Sequence, residues 1–236
     1  MKGRALLRLD FNTEDEWRLK SALPTVRFLL KYAEKIVIVS HKGRPIGFEK
    51  KFSLKASAKS LEKLLKRKII FFPHFRFEEM KIEIAASPRG SIFVLENLRF
   101  LKGEEKNDLK FAKKLASLAD YCVNEAFAVS HRANASVSAI TRFLKSYAGL
   151  ELENELKNLS KVMKNPKKPL VIILGGAKAE DKLSIVKFLK NKADWFLLGG
   201  APANTIFLAK GMDIKDSVAL RGHMEKVRPF LKYPNI

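Results

Sequence analysis

The chain has 236 residues, of which 47% are hydrophobic, enough for one large or two modest packed domains and too apolar for default disorder. Its 46 lysines and arginines against 25 acidic residues give a formal charge of +21, which favours phosphate-bearing partners. No RNP-type segment, zinc-finger spacing or basic-region heptad is present, which argues against specific nucleic-acid recognition. The lysines are scattered, as in Lys50-Lys51, Lys113-Lys114 and Lys167-Lys168, and read mainly as a solvated surface. Cys122 is the single cysteine, so no intrachain disulfide forms; this fits a cytoplasmic protein and a buried structural thiol. No apolar stretch approaches a membrane span, and Met1-Lys2-Gly3-Arg4 runs straight into a strand pattern without a signal-peptide core. HExxH and paired-Cys spacings are missing, so a stable protein metal site is not indicated; the absence of a GxSxG elbow disfavours serine-hydrolase chemistry.

In chain order, apolar runs alternate with helical patterns. Ala5–Leu9 reads as a strand and 14–34 as a helix with Leu19, Leu23, Val26 and Leu30 on one face, kinked or broken at Pro24. Strands follow at 36–40, 68–72, 91–96 and 121–125, and helices at 54–66, 75–85, 109–119 and 136–144. This rhythm predicts a doubly wound α/β domain with a mostly parallel sheet over residues 1–150. A charged helix from Glu151 to Met163 ends at Asn165-Pro166-Lys167-Lys168-Pro169, a stop-and-linker signal, so 151–168 is read as linker helix and hinge. Beyond it come a strand at 170–174, a helix at 182–192, a strand at 195–198 and helices at 203–210 and 218–231. Two parallel strands make a thin core, and Tyr233-Pro234-Asn235-Ile236 resembles the approach to another strand. Residues 169–236 are therefore expected to form an incomplete, Rossmann-like second domain.

Basic residues gather at predicted strand ends. Asp10-Phe11-Asn12, Ser40-His41-Lys42-Gly43-Arg44-Pro45, Glu96-Asn97-Leu98-Arg99-Phe100 and Ser130-His131-Arg132-Ala133 each follow or end a strand pattern, and Arg18 lies on the first helix. In an open parallel sheet these loops share one crevice. Guanidinium groups grip phosphate and carboxylate oxygens in pairs, so the set suits a small, multiply charged anion. Each residue also has a local reading: His41 and His131 as satisfied loop histidines, Arg44 paired to a nearby carboxylate, Arg99 packed on Phe100, Arg18 solvated, and Asp10 and Asn12 as turn residues. Further on, Gly175-Gly176-Ala177-Lys178 and Gly199-Gly200-Ala201-Pro202 each join a strand to a helix. Such turns let backbone N–H groups approach a phosphate, or simply let helix and strand pack closely. Lys178 and Lys182, four apart, would share a helix face if the helix begins early.

Taken in order, these segments resemble the phosphoglycerate kinase family. Arg8-Leu-Asp10-Phe11-Asn12 is similar to R-V-D-F-N-V-P, Trp17–Pro24 to R-I-x-x-A-x-P, and Ser40–Pro45 to S-H-L-G-R-P. Leu95–Phe100 matches L-E-N-L-R-F, and Asn124–Ala133 resembles N-D-A-F-G-T-A-H-R-A. Pro169–Lys182 resembles P-x-x-x-I-L-G-G-A-K-V-x-D-K, and Leu198–Thr205 resembles I-G-G-G-M-A-N-T. The resemblance covers essentially the whole chain. It implies a cytoplasmic, monomeric glycolytic phosphotransferase that moves a phosphoryl group from 1,3-bisphosphoglycerate to ADP, giving 3-phosphoglycerate and ATP. Magnesium would be carried with the nucleotide. By the same resemblance Asp10, Asn12, Arg18, His41, Arg44, Arg99, His131 and Arg132 would hold the acid phosphate. Gly175, Gly176, Lys178, Lys182, Gly199 and Gly200 would hold the nucleotide, with Arg18 and Lys178 stabilising the transferring group. The chain departs from the pattern at Thr13-Glu14, at Ala128-Val129-Ser130, and at Ala201-Pro202, where a Cβ and a ring are expected to narrow the nucleotide site. The family continues well past the last residue here, which implies a truncated kinase. Two other readings stand beside it: a chain that binds 3-phosphoglycerate without catalysis, and a non-specific polyanion binder.

Overall fold

The computed structural model describes residues 2–13, 15–222 and 224–236. The chain divides within one helix into two units, one up to Lys157 and one from Asn158 to Ile236.

The first unit is built on six parallel strands, β1 (Arg4–Arg8), β2 (Lys35–Val39), β3 (Ile69–Phe72), β4 (Ile92–Leu95), β5 (Tyr121–Asn124) and β6 (Ser146–Ala148). Their order is β3-β4-β2-β1-β5-β6. β1 pairs with β2 on one side and β5 on the other, with Leu6 opposite both Val37 and Cys122. The central strands are almost wholly apolar because both faces are covered. One face packs on α1 (Glu16–Tyr32) and α2 (Lys55–Leu65) through Leu23, Val26, Leu29 and Leu61. The other packs on α3 (Phe77–Ala86) and on α5 (Leu109–Ala116), which follows the short α4 (Lys102–Glu105), with Phe77, Met80, Phe111 and Leu115 against Leu6 and Phe93. Cys122 lies in this second core, 2% exposed, and burial pushes its thiol up to about 12, as suits a structural cysteine.

Several expected elements change in detail. α1 runs through Pro24 without a break, and Leu29 rather than Leu30 is fully buried; its expected first residue, Glu14, lies outside the described residues. The helix expected at 136–144 is a set of turns with a 3-10 segment at Ala139–Arg142. Its early N–H groups go to distant acceptors: Ser136 N–H to Glu104 (3.0 Å) and Ala139 N–H to Asn107 (2.9 Å). β6 was not expected. It is three residues long, carries no apolar run and sits at the sheet edge.

α6 (Leu150–Lys164) contains the division between the units. The second unit holds two parallel strands, β7 (Val171–Leu174) and β8 (Trp195–Leu198), with α7 (Ala179–Leu189), α8 (Gly200–Ala209) and α9 (Met224–Val227). Leu174, Leu183, Val186, Phe196, Ile206 and Phe230 form its core. α7 starts at Ala179, with two residues between it and Gly176, and α8 starts at Gly200 itself, each three residues earlier than expected. The single helix expected at 218–231 is instead a loop, α9, and a 3-10 segment at Arg228–Lys232. Leu220 N–H bonds Thr205 Oγ1 (2.9 Å) and the Val218 carbonyl accepts from Asn204 (3.1 Å), which holds the start of that segment against α8. His223, within it, lies outside the described residues. Near the last residue, Phe196 N–H of β8 donates to the Asn235 carbonyl (2.8 Å), a single strand-like bond without an assigned strand. Among the described residues no helix is long and apolar enough to cross a membrane.

Candidate functional site

The strand order reverses direction at β1: the connection to β2 goes one way, while β5 and β6 extend the sheet the other way. At such a switch point the loops after neighbouring strands part and leave a crevice at their C-terminal ends. Asp10 and Asn12 follow β1, His41 and Arg44 follow β2, Arg99 follows β4, and Arg132 follows β5 and a 3-10 turn at Phe127–Val129.

Short hydrogen bonds tie these loops together. Asn12 Oδ1 accepts from Gly43 N–H (2.7 Å), and Asp10 Oδ1 accepts from Asn12 N–H (3.0 Å). Asp10 Oδ2 takes the Arg18 guanidinium at 2.6 Å, which orients the one candidate arginine that comes from a helix. The Arg18 guanidinium also stands 5.5 Å from the Trp17 ring. Arg99 is 7% exposed; its Nη1 donates to the Gly43 carbonyl (2.6 Å), and its Nε lies 3.1 Å from Glu105, off the N–H direction. Asn97 supports this loop by donating to the carbonyls of Lys42 (2.7 Å) and Phe52 (3.0 Å).

His41 is the most buried of the candidates, at 2% exposed. Its pKa is pulled down to about 2, first by burial and then by Arg8, Arg99 and Arg132. Arg99 is also pulled down, mainly by burial, against the attraction of Glu105 and with Arg132 and Arg44 as like charges. His41, Arg44, Arg99 and Arg132 therefore share one electrostatic neighbourhood. Arg44 is exposed and Arg132 half-buried, and neither side chain makes a hydrogen bond or ion pair among the described residues. Their charges are available to an anion. His131 is exposed, and among the described residues no hydrogen bond or ion pair joins it to the cluster. Beside Arg18 lies a cavity of about 120 Å³, lined by Asp10, Trp17, Ser21 and Phe127 with Glu125 and Glu151.

One participant is absent from the sequence-derived set. Arg8 ends β1, is 1% exposed, and donates Nη2–H to His41 Nδ1 (2.9 Å), Nη1–H to Ser40 Oγ (3.3 Å) and Nε–H to Ser136 Oγ (3.0 Å). Ser136 Oγ in turn donates to the fully buried Glu104 (2.6 Å). The available signal was a charged residue closing the apolar run of the central strand β1. Glu104 and Ser136 left none, since their partners lie 32 residues apart in sequence.

In the second unit the two glycine turns meet. Gly176 and Gly200 both have positive φ, 109° and 58°, and the Gly176 carbonyl accepts from Ala201 N–H (3.1 Å). A Cβ on Gly200 would stand 3.2 Å from that carbonyl oxygen, so this junction requires glycine both for its φ and for the space. Gly175 and Gly199 are exposed at the same strand ends. Lys178 is the residue before α7, with φ −94° and ψ 87°, so it lies off the helix and does not share a helix face with Lys182. Lys178 is exposed, Lys182 half-buried. Ala201 and Pro202 are buried in the first turn of α8, pointing inward, where proline needs no N–H partner. No group of three or more His, Cys, Asp or Glu side chains converges as a metal cage among the described residues.

Comparison with known proteins places this arrangement. The sequence pattern of the phosphoglycerate kinase family matches residues 2–235. The chain is 42% identical over 224 residues to a phosphoglycerate kinase of Coprothermobacter proteolyticus, covering 91% of this chain and 57% of that protein. It is 41% identical over 235 residues to one of Triticum aestivum described as cytosolic, covering 95% and 59%. Among solved structures, the phosphoglycerate kinase of Pyrococcus horikoshii superposes with a TM-score of 0.82 at 31% identity, covering 98% of this chain and 60% of that one. That of Coxiella burnetii gives 0.81 at 33%, with the same coverage. The chain thus spans less than two thirds of the length of the relatives it matches.

Proposed function

The chain belongs to the phosphoglycerate kinase family, and from that premise we propose that its first unit binds 3-phosphoglycerate or 1,3-bisphosphoglycerate. We propose further that its second contributes to holding Mg-ADP or Mg-ATP for reversible phosphoryl transfer between them. In this reading residues 1–150 form the phosphoglycerate-binding domain, 151–168 the linker helix and hinge, and 169–236 part of the nucleotide-binding domain of a cytoplasmic monomer.

The observation that carries the reading is the gathering of Arg99 and Arg132 around the neutral, buried His41 at the sheet switch point, with Arg44 beside Arg99. A phosphoglycerate carries a phosphate and a carboxylate, and each can take a pair of guanidinium N–H donors. Asn12 and Arg18 extend the donor set along one side, with the Asp10 carboxylate accepting from both. His131 would act only as a supporting basic residue. Phosphoryl transfer needs no protein nucleophile; the protein positions the partners in line and neutralises charge on the equatorial oxygens. Arg18 and Lys178 would supply that neutralisation. Gly175, Gly176, Gly199 and Gly200 would admit nucleotide phosphates close to the backbone, with Lys182 balancing their charge. Magnesium would arrive as part of the nucleotide substrate.

The test is calorimetric titration of the purified chain with 3-phosphoglycerate and, separately, with inorganic phosphate, at low salt and at about 0.15 M salt. A guanidinium pocket should keep its preference for 3-phosphoglycerate at the higher salt, and Arg99→Ala or Arg132→Ala should weaken binding roughly ten- to hundredfold, as loss of a charge-assisted pair does. Equal, salt-labile binding of both anions would support simple polyanion binding and reject the pocket. A coupled assay with 1,3-bisphosphoglycerate and Mg-ADP then separates a catalytic chain from one that only binds.

A further inference from the structure

Four buried groups form a continuous relay behind the anion site: Glu104, Ser136, Arg8 and His41, none more than 2% exposed. Glu104 accepts both the backbone N–H (3.0 Å) and the hydroxyl (2.6 Å) of Ser136. The Ser136 hydroxyl, its proton thus committed, accepts from Arg8 Nε–H (3.0 Å). Arg8 is further fixed by the Leu9 carbonyl and Ser40 Oγ, leaving Nη2 at 2.9 Å from His41 Nδ1. A guanidinium can only donate, so Nδ1 must accept, and a neutral imidazole that accepts at Nδ1 carries its proton on Nε2. His41 Nε2 has no hydrogen-bond partner among the described residues, although it is buried. A buried donor without a partner is costly unless something meets it. The segment that carries His41 also carries Arg44, and the charged groups acting on its ring are Arg8, Arg99 and Arg132.

Resting on the phosphoglycerate reading above, we propose that Arg8 is a positioning residue that fixes the tautomer of His41, so that Nε2–H is presented as a neutral donor to the bound anion. The arrangement has a physical purpose. An imidazolium here would add a fourth positive charge to three guanidinium groups and would turn an N–H toward the Arg8 N–H. A neutral ring held in one tautomer supplies a donor without that repulsion, and its state does not change across the physiological pH range.

The test is NMR of the imidazole nitrogens in the full chain, with His41 identified among the four histidines by loss of its signals in His41→Gln. In the wild type, Nδ1 should show the unprotonated and Nε2 the protonated shift, unchanged between roughly pH 5 and pH 8. Both should move when 3-phosphoglycerate is added. Arg8→Met, checked for a native amide spectrum, should give a mixture of tautomers and bind 3-phosphoglycerate about tenfold more weakly. Arg8→Lys, which keeps a donor, should restore the Nε2–H form. A proton on Nδ1 in the wild type, or an imidazolium at neutral pH, overturns the proposal, and so does an unchanged tautomer in a folded Arg8→Met. The wild-type spectrum decides the tautomer even if the variants do not fold. Calorimetry on the same sample keeps the two readings apart: the expected tautomer with no 3-phosphoglycerate binding rejects the ligand while the role of Arg8 on His41 stands.

Discussion

The Glu125 carboxylate accepts the Thr25 hydroxyl and the backbone N–H groups of Glu151 (3.2 Å) and Leu152 (3.4 Å), while Thr25 Oγ1 accepts from Leu150 N–H (2.9 Å). Three of the free N–H groups at the start of α6 are thus capped by Glu125, just past β5, and by Thr25 of α1 rather than by a local cap residue. Burial raises the Glu125 pKa, and these same donors oppose the rise. The arrangement leaves no room at Gly149, where a Cβ would come within 1.6 Å of Glu125 Oε2. Gly149→Ala should therefore displace the carboxylate, break these bonds and cost about 2–4 kcal/mol in urea unfolding, through overpacking plus unsatisfied donors. A loss below about 0.5 kcal/mol, the range of an ordinary surface substitution, would mean that the carboxylate re-seats freely. Neither Gly149 nor Glu125 was legible as a pair in the sequence, because the contact forms only when the helix start folds back over the end of β5.

At the scale of elements, β1 and β5 are held in register at their N-terminal ends by Arg4 and Asp120. Asp120 accepts the Arg4 backbone N–H (2.7 Å) as well as its Nη2 (2.7 Å) and Nε (3.1 Å). This holds the Asp120 carboxyl below its ordinary pKa, led by the side-chain bond to Arg4. A depressed folded pKa contributes stability that is complete above the unfolded value, near pH 4, and is lost as pH falls through the folded value. Both side chains are partly exposed, so the contribution is discounted to about 1 kcal/mol or less. Asp120→Asn should be less stable than the wild type by that amount at pH 7, and the difference should shrink below about pH 4. A difference independent of pH would assign the effect to strand geometry rather than charge. The strands themselves were readable because a parallel sheet covered on both faces demands near-continuous apolar runs, as in Ala5–Leu7 and Ile92–Leu95. β6 and the turns at 136–144 were not, because edge position and long-range acceptors decide them. The same limit applies to the site. Residues in short motifs at strand ends could be read, whereas Arg8, Glu104 and Ser136 act through partners that only the tertiary structure supplies.

At the scale of the molecule, the two units differ in how completely they bury their sheets. In the first, the central strands are apolar and covered on both sides, and Leu6, Leu7, Val37, Ile38, Phe93 and Val94 have no exposed surface. In the second, one face of the β7–β8 pair is bare: Val171 stands beside Trp195 and Ile173 beside Leu197, each at least 41% exposed. Apolar area removed from water is the main favourable term in folding, so the second unit has less to set against its chain entropy. The chain has two tryptophans, Trp17 in the first unit and Trp195 in the second, which gives each unit its own fluorescent reporter. With Trp17→Phe and Trp195→Phe variants followed separately in urea, the Trp195 signal should change at the lower concentration and with the shallower slope, since the slope follows the surface exposed on unfolding. Coincident midpoints and slopes would instead mean one cooperative transition, with the bare strand face no weaker than the covered one. If the early transition is found, 3-phosphoglycerate should raise the Trp17 midpoint and leave the Trp195 midpoint unmoved, because a ligand stabilises only the unit that holds it.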